Sequence, residues 1–167
     1  VISWHSDIIR QKTLLELYRP FLNRIINRAS AIIAATPRHF SSSTQLTRSR
    51  NPDRFRVVPY GLDYGPYLVP ELDREAAAIR AAHGDRRLVF AVGRHVYYKG
   101  FEYLIRAMPD VDSDVLLLLG GTGPLTAQYR QLITELGLEH RVRLLGRVPD
   151  QALPAHYRAA EVFCMPS

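Results

Sequence analysis

From residue 85 onward, short apolar-rich runs alternate with longer segments in which apolar positions recur every three or four residues. Residues 88–92, 115–119 and 142–145 read as strands, because a run with little polar alternation suits a strand covered on both faces. The segments that follow them, 99–108, 124–136 and 151–160, carry the helical period, and Val162-Phe163-Cys164 opens another strand. Strands alternating with amphipathic helices predict a parallel sheet with helices on both sides, a doubly wound α/β domain. Such sheets bind ligands beyond the carboxyl ends of their strands.

The pattern before residue 85 is less regular. Asp7 or Ser6 is placed to cap a helix reaching about Tyr18, and Pro20 starts a second helical segment to about Arg28. Ala31-Ile32-Ile33-Ala34-Ala35 reads as a short strand, Thr36-Pro37 as the N-cap and first residue of a helix, and Arg56-Val57-Val58 as a strand stopped by Pro59. Tyr60 to Pro66 is dense in turn formers and is the best site for an inter-domain connection. An alanine-rich helix from Glu71 to about His83 follows it.

Two stretches carry candidate chemistry. Val89 to Gly100 is a strand that breaks at Gly93 and delivers Arg94 and Lys99 to a strand-to-helix junction, where free N–H groups and fixed positive charge suit a pyrophosphate. Among 22 Lys and Arg residues the only lysines are Lys12 and Lys99, which singles out Lys99. Leu117 to Leu125 runs from a strand through Gly120, Gly121 and Gly123 into a helix with Pro124 at its first position. These glycines permit close approach of the backbone to a ligand, although such turns also serve merely to reverse a chain. The loop fails the dinucleotide fingerprint, since Thr126 stands where its third glycine belongs. The following strand ends in Gly146-Arg147, with no carboxylate for a ribose diol. An arginine there suits a phosphorylated ribose, which leaves a nicotinamide reading open.

Composition and charge narrow the classes. At 167 residues and 47% hydrophobic content the chain makes one modest domain or parts of two. No apolar run approaches a membrane span and no signal-peptide pattern follows Val1, so a cytoplasmic protein is expected. Cys164 is the only cysteine, which excludes an internal disulfide, and it reads as a small core residue near a strand end. The histidines show no shared spacing for a metal site, and Tyr97 and Tyr98 are expected to pack at their loop rather than to serve as stacking platforms. The net charge of +6 is uneven, with ten basic side chains against three acidic in residues 1–60. Arg10, Lys12, Arg19, Arg24 and Arg28 are interleaved with Leu14, Leu15, Leu17, Phe21, Leu22, Ile25 and Ile26. That basic amphipathic pattern suits an anionic membrane or acidic partner, or else a solvated helix face beside a core stripe.

Taken in order, the motifs resemble the GT-B glycosyltransferases of the large retaining family GT4. The resemblance runs through Trp4-His5-Ser6-Asp7, Ala29 to Ala34 with Thr36, Val57-Val58-Pro59-Tyr60-Gly61-Leu62-Asp63, Val92-Gly93-Arg94, Lys99 to Ile105, Gly121 to Leu125, Leu145 to Pro149 and Ala160 to Ser167. It implies the end of an N-terminal Rossmann-like domain (1–60, acceptor side), an inter-domain connection and helix (61–84), and an incomplete nucleotide-sugar-binding Rossmann-like domain (85–167). By resemblance, Arg94 and Lys99 bind the donor diphosphate, His5 faces the donor sugar as a catalytic residue, and Gly93, Gly121, Gly123, Arg147 and Val148 line the nucleotide-sugar site. Before the resemblance is considered, a lone histidine such as His5 is as often an ordinary surface or core residue.

The implied reaction moves a hexose to a saccharide or lipid-linked acceptor with no cofactor and no metal. Peripheral contact with the inner face of the plasma membrane, through residues 10–56, fits a lipid-linked acceptor. The resemblance also implies a central piece of a roughly twofold larger enzyme, expected to be inactive alone, with an uncovered apolar sheet edge at its last strand. A nucleotide-sugar epimerase of the same fold and a basic nucleic-acid-binding module are the alternatives. For the latter, aromatic residues are sparse among the basic ones and no nucleic-acid motif occurs, so no nucleic-acid partner is expected.

Overall fold

Short strands joined by long crossovers build the first of two units, Val1–Leu62. The computed structural model describes residues 1–8, 12–49, 52–84 and 86–167. Strands β1 (Ile2–Ser3), β2 (Ile32–Ala34) and β3 (Phe55–Val57) pair in parallel in that order, with Ile32 opposite both Ile2 and Phe55. Helix α1 (Lys12–Arg28) connects β1 to β2, and α2 (Pro37–Ser42) follows β2. The core of the unit is small: Leu22, Ile26, Ala29, Ile32 and Leu46, flanked by Trp4, Phe40 and Phe55.

Three expectations are corrected here. Residues 6–8 are not helical, and the Asp7 carboxylate caps no helix of its own; it accepts hydrogen bonds from the distant turn at Ser43–Gln45. The two helices expected on either side of Pro20 are one helix with Pro20 inside it. A proline there forgoes one N–H, and the burial of Leu22 and Ile26 against the sheet outweighs that loss. The apolar side chains of α1 also divide: Leu22 and Ile26 are buried, whereas Leu14, Leu17, Tyr18, Phe21 and Ile25 form an exposed row. Arg10, counted in the basic face, lies outside the described residues.

The second unit, Asp63–Ser167, contains the doubly wound arrangement. After α3 (Glu71–Ala81) come β4 (Arg87–Val92), α4 (Phe101–Ala107), β5 (Val115–Gly120), α5 (Thr126–Glu135), β6 (Val142–Gly146), α6 (Leu153–Ala159) and β7 (Val162–Phe163). All pairings are parallel, in the order β6-β5-β4-β7. Alternate residues explain why the strands are apolar throughout. Leu88, Phe90, Leu116 and Leu118 pack with Ala76 of α3 and Ala159 of α6, while Ala91, Leu117 and Leu119 pack with Phe101, Ile105, Tyr129 and Ile133 of α4 and α5. Each such large side chain, fully buried, contributes about 2 kcal/mol.

Helix starts differ from the periodicity in a consistent way. A 3₁₀ turn at Tyr97–Lys99 and Gly100, with φ 67°, precede α4, so that helix begins at Phe101. Pro124 and Leu125 likewise precede α5, and a 3₁₀ turn at Asp150–Ala152 precedes α6. Cys164 is half-buried rather than a core residue; its N–H donates to the Phe90 carbonyl at 2.9 Å beside the sheet-edge strand β7. Val162 and Phe163 of that edge strand are exposed.

Candidate functional site

The second unit brings seven of the eight sequence-identified residues to one sheet edge. Gly93, Arg94 and Lys99 follow β4, Gly121 and Gly123 follow β5, and Arg147 and Val148 follow β6. Because the strands are parallel, these three loops leave from the same, carboxyl, edge. Arg94 is exposed and Lys99 half-buried, and neither side chain has a hydrogen-bond or ion-pair partner among the described residues. Several other arginines of the unit are spent on structure. Arg86 donates to the carbonyls of Ser113, Asp114, Val115 and His140; Arg87 pairs with Asp112 and Asp114; Arg141 is buried on the Val111 and Asp112 carbonyls. The two carboxylates beside Arg87 raise its guanidinium above an already high value.

The glycines have a structural use that the sequence did not reveal. The Gly93 N–H donates to the Gly120 carbonyl at 3.1 Å, and that of Gly121 to the Gly146 carbonyl at 2.6 Å. A Cβ on Gly121, whose φ is 111°, would overlap the Gly93 carbonyl oxygen, and one on Gly123 would lie 2.5 Å from that of His95. Close approach is thus to the neighbouring loop. The Val148 side chain closes the stack from the other side, 2.9 Å from where a Cβ on Gly120 would be. Lys99 runs across Gly93, its Cε 3.8 Å from where a Cβ would project. Tyr97 and Tyr98 stand at the surface of their loop. They are 54% and 55% exposed and meet each other edge to face.

His5, the eighth residue, belongs to the first unit, at the carboxyl edge of its own sheet. Its Nδ1 lies 2.6 Å from the Tyr60 hydroxyl and its Nε2 3.3 Å from the Ser3 hydroxyl. The His5 and Tyr60 rings are parallel within 4° with centroids 6.1 Å apart, a span that suits an end-to-end hydrogen bond better than a face-to-face stack. Tyr60 is a ring partner the sequence reading missed, because 55 residues separate it from His5. A cavity of about 600 Å³, lined among others by Trp4, His5, Arg19, His39 and Thr44, opens beside it. Asp7 holds one wall: burial pushes its carboxyl up, but hydrogen bonds from Ser43, Thr44 and Trp4 outweigh that and keep it below the usual carboxylate range. Among the described residues no cluster of His, Cys, Asp and Glu is placed to hold a metal, and no helix is long and apolar enough to cross a membrane.

Comparison with known proteins adds to this geometry. Residues 73–167 match the family described as Glycosyl transferases group 1. The whole chain is 38% identical to the D-rhamnosyltransferase WbpZ of Pseudomonas aeruginosa, covering 42% of that protein. It is 33% identical to the O-antigen chain mannosyltransferase C of Escherichia coli, over 90% of this chain and 38% of that one. The chain therefore spans about two fifths of the length of these relatives. Among solved structures, Anabaena Alr3699/HepE in complex with UDP and glucose matches 99% of this chain and 45% of its own, with a TM-score of 0.81 at 24% identity. WaaG, a glycosyltransferase involved in lipopolysaccharide biosynthesis, matches 97% of this chain and 49% of its own, with a TM-score of 0.73 at 18% identity. Over the matched part, the fold is the expected GT-B type of parallel α/β structure.

Proposed function

Because this chain belongs to the glycosyl transferases group 1 family, we propose that it carries the donor-diphosphate site of a hexosyltransferase. In this reading a hexose passes from a nucleotide-diphosphate sugar to a hydroxyl of a saccharide or lipid-linked acceptor, with retained anomeric configuration. Residues 1–60 belong to the acceptor-side domain, 61–84 connect, and 85–167 bind the nucleotide sugar. The D-rhamnosyl and mannosyl relatives support a hexose or deoxyhexose donor, and UDP in the HepE complex supports a nucleoside diphosphate.

The observation that carries the reading is the placement of Arg94 and Lys99 at the carboxyl edge of β4, two cations whose side chains have no partner among the described residues. As the bond from the anomeric carbon to phosphate stretches, the departing diphosphate gains negative charge, and fixed cations stabilise that state more than the ground state. Arg94 supplies a planar two-pronged donor and Lys99 a compact charge. The acceptor oxygen bonds to the anomeric carbon on the face the diphosphate leaves, and its proton passes to a diphosphate oxygen, so no enzyme nucleophile is required. His5, held by Tyr60, orients the sugar.

Calorimetric titration with UDP and with GDP tests the clamp. Binding of at least one is expected, with affinity reduced about tenfold or more in Arg94→Ala, the scale of a lost charge-assisted hydrogen bond. Equal affinity in the variant and the unaltered protein overturns the assignment.

A further inference from the structure

One buried imidazole has no part in that reaction. His95 is fully buried, with 0% of its surface exposed, although the adjacent Arg94 is exposed. Its ring meets Phe101 of α4 edge-on at 5.9 Å and lies tilted against Tyr129 of α5 at 5.2 Å. On one side Nδ1 is 2.9 Å from the hydroxyl of Thr126, the first residue of α5. That hydroxyl donates its one hydrogen to the Gly123 carbonyl at 2.8 Å and accepts the Gly123 N–H at 2.9 Å. Nδ1 and this hydroxyl share a hydrogen bond, and Nε2 is buried. Burial disfavours a second proton and holds the imidazole below its usual range, against a smaller opposite pull from the Gly120 carbonyl.

The main chain of the same residue repeats the connection. The His95 N–H donates to the Thr122 carbonyl at 3.0 Å, and its carbonyl accepts the Leu125 N–H at 3.1 Å. Three hydrogen bonds from one residue thus join the loop that bears Arg94 and Lys99 to the loop that opens α5. We propose that His95, with Thr126, is a positioning residue for the diphosphate clamp, fixing the Arg94–Lys99 loop against the Gly121–Leu125 loop before an anion arrives. A clamp whose backbone is already fixed loses less conformational freedom on binding than one that must be ordered by its ligand. The proposal rests on the reading of Arg94 and Lys99 as that clamp.

Titration of variants with UDP and GDP separates this role from simple core packing. His95→Phe keeps ring volume and loses the ring nitrogens, and Thr126→Val keeps shape and loses the hydroxyl. Each is expected to weaken nucleoside diphosphate binding about fivefold or more, and the double variant no more than Thr126→Val alone, because both remove one shared bond and Thr126→Val also removes the hydroxyl's bonds to Gly123. His95→Asn, which retains an N–H near the Nδ1 position, and Thr126→Ser are expected to bind within about twofold of the unaltered protein. Unchanged affinity in Thr126→Val or His95→Phe, whatever the thermal midpoint, overturns the proposal, as do additive losses in the double variant. Arg94→Ala, run alongside, tests the clamp itself: if it binds like the unaltered protein, the site assignment fails and not the loop connection.

Discussion

At the scale of single residues, the chemistry depends on side chains the sequence displays and on contacts it conceals. Arg94 and Lys99 are legible because a strand, a glycine and two cations occur within a dozen positions. The function of Gly121 is not, since the atom that forbids a side chain there belongs to Gly93, 28 residues away. Gly121→Ala should lower unfolding stability by about 2–3 kcal/mol in urea titrations, the cost of a core clash. Gly137→Ala, at φ 64° with open space around it, should cost only the strain of a left-handed alanine, about 1 kcal/mol. Asp7 shows the same kind of concealment. Its place in the sequence suits a local cap, yet besides Trp4 its partners are the distant Ser43, Thr44 and Gln45. Since its folded pKa is depressed, its contribution is present above the unfolded value near 4 and is lost as pH falls through the folded one. Asp7→Asn should therefore be less stable than the unaltered protein at pH 7, by about 2 kcal/mol, with the gap closing below about pH 4 in urea midpoints.

At the scale of elements, apolar periodicity located the strands and helices of the second unit and erred mainly at helix starts. Gly100 and Pro124 carry the physical reason. Each lies between a strand end and a helix, where the chain spends a few residues turning over the carboxyl edge before regular hydrogen bonding begins. Pro20 is the contrary case, a breaker that breaks nothing because the residues after it are anchored on the sheet. As an exposed proline inside α1 it still costs helix stability. Pro20→Ala should raise the unfolding midpoint of the first unit by the equivalent of about 1–3 kcal/mol, measured by Trp4 fluorescence in urea; a lower midpoint would show that the proline stabilises the helix in place.

At the scale of the molecule, the two units have unequal cores. Among the described residues the first has one small apolar cluster, and the second covers both faces of a four-stranded sheet. Trp4, the only tryptophan, lies in the first unit, whereas most of the helical residues lie in the second. Urea unfolding followed by tryptophan fluorescence should precede the transition followed by far-UV circular dichroism, and coincident curves would show that the units unfold together. The sequence by itself determined the alternation of strands and helices, the parallel sheet, the family motifs and the edge at which Arg94 and Lys99 emerge. These follow from periodicity and from the rule that parallel strands end on one side, which are local or topological properties. Only the tertiary structure decided that Tyr60 meets His5, that Asp7 holds the turn at residue 43, and that His95 and the glycines bind loop to loop. Those contacts join residues far apart in the chain, and no period or spacing records which distant atoms will share a surface once the sheets have formed.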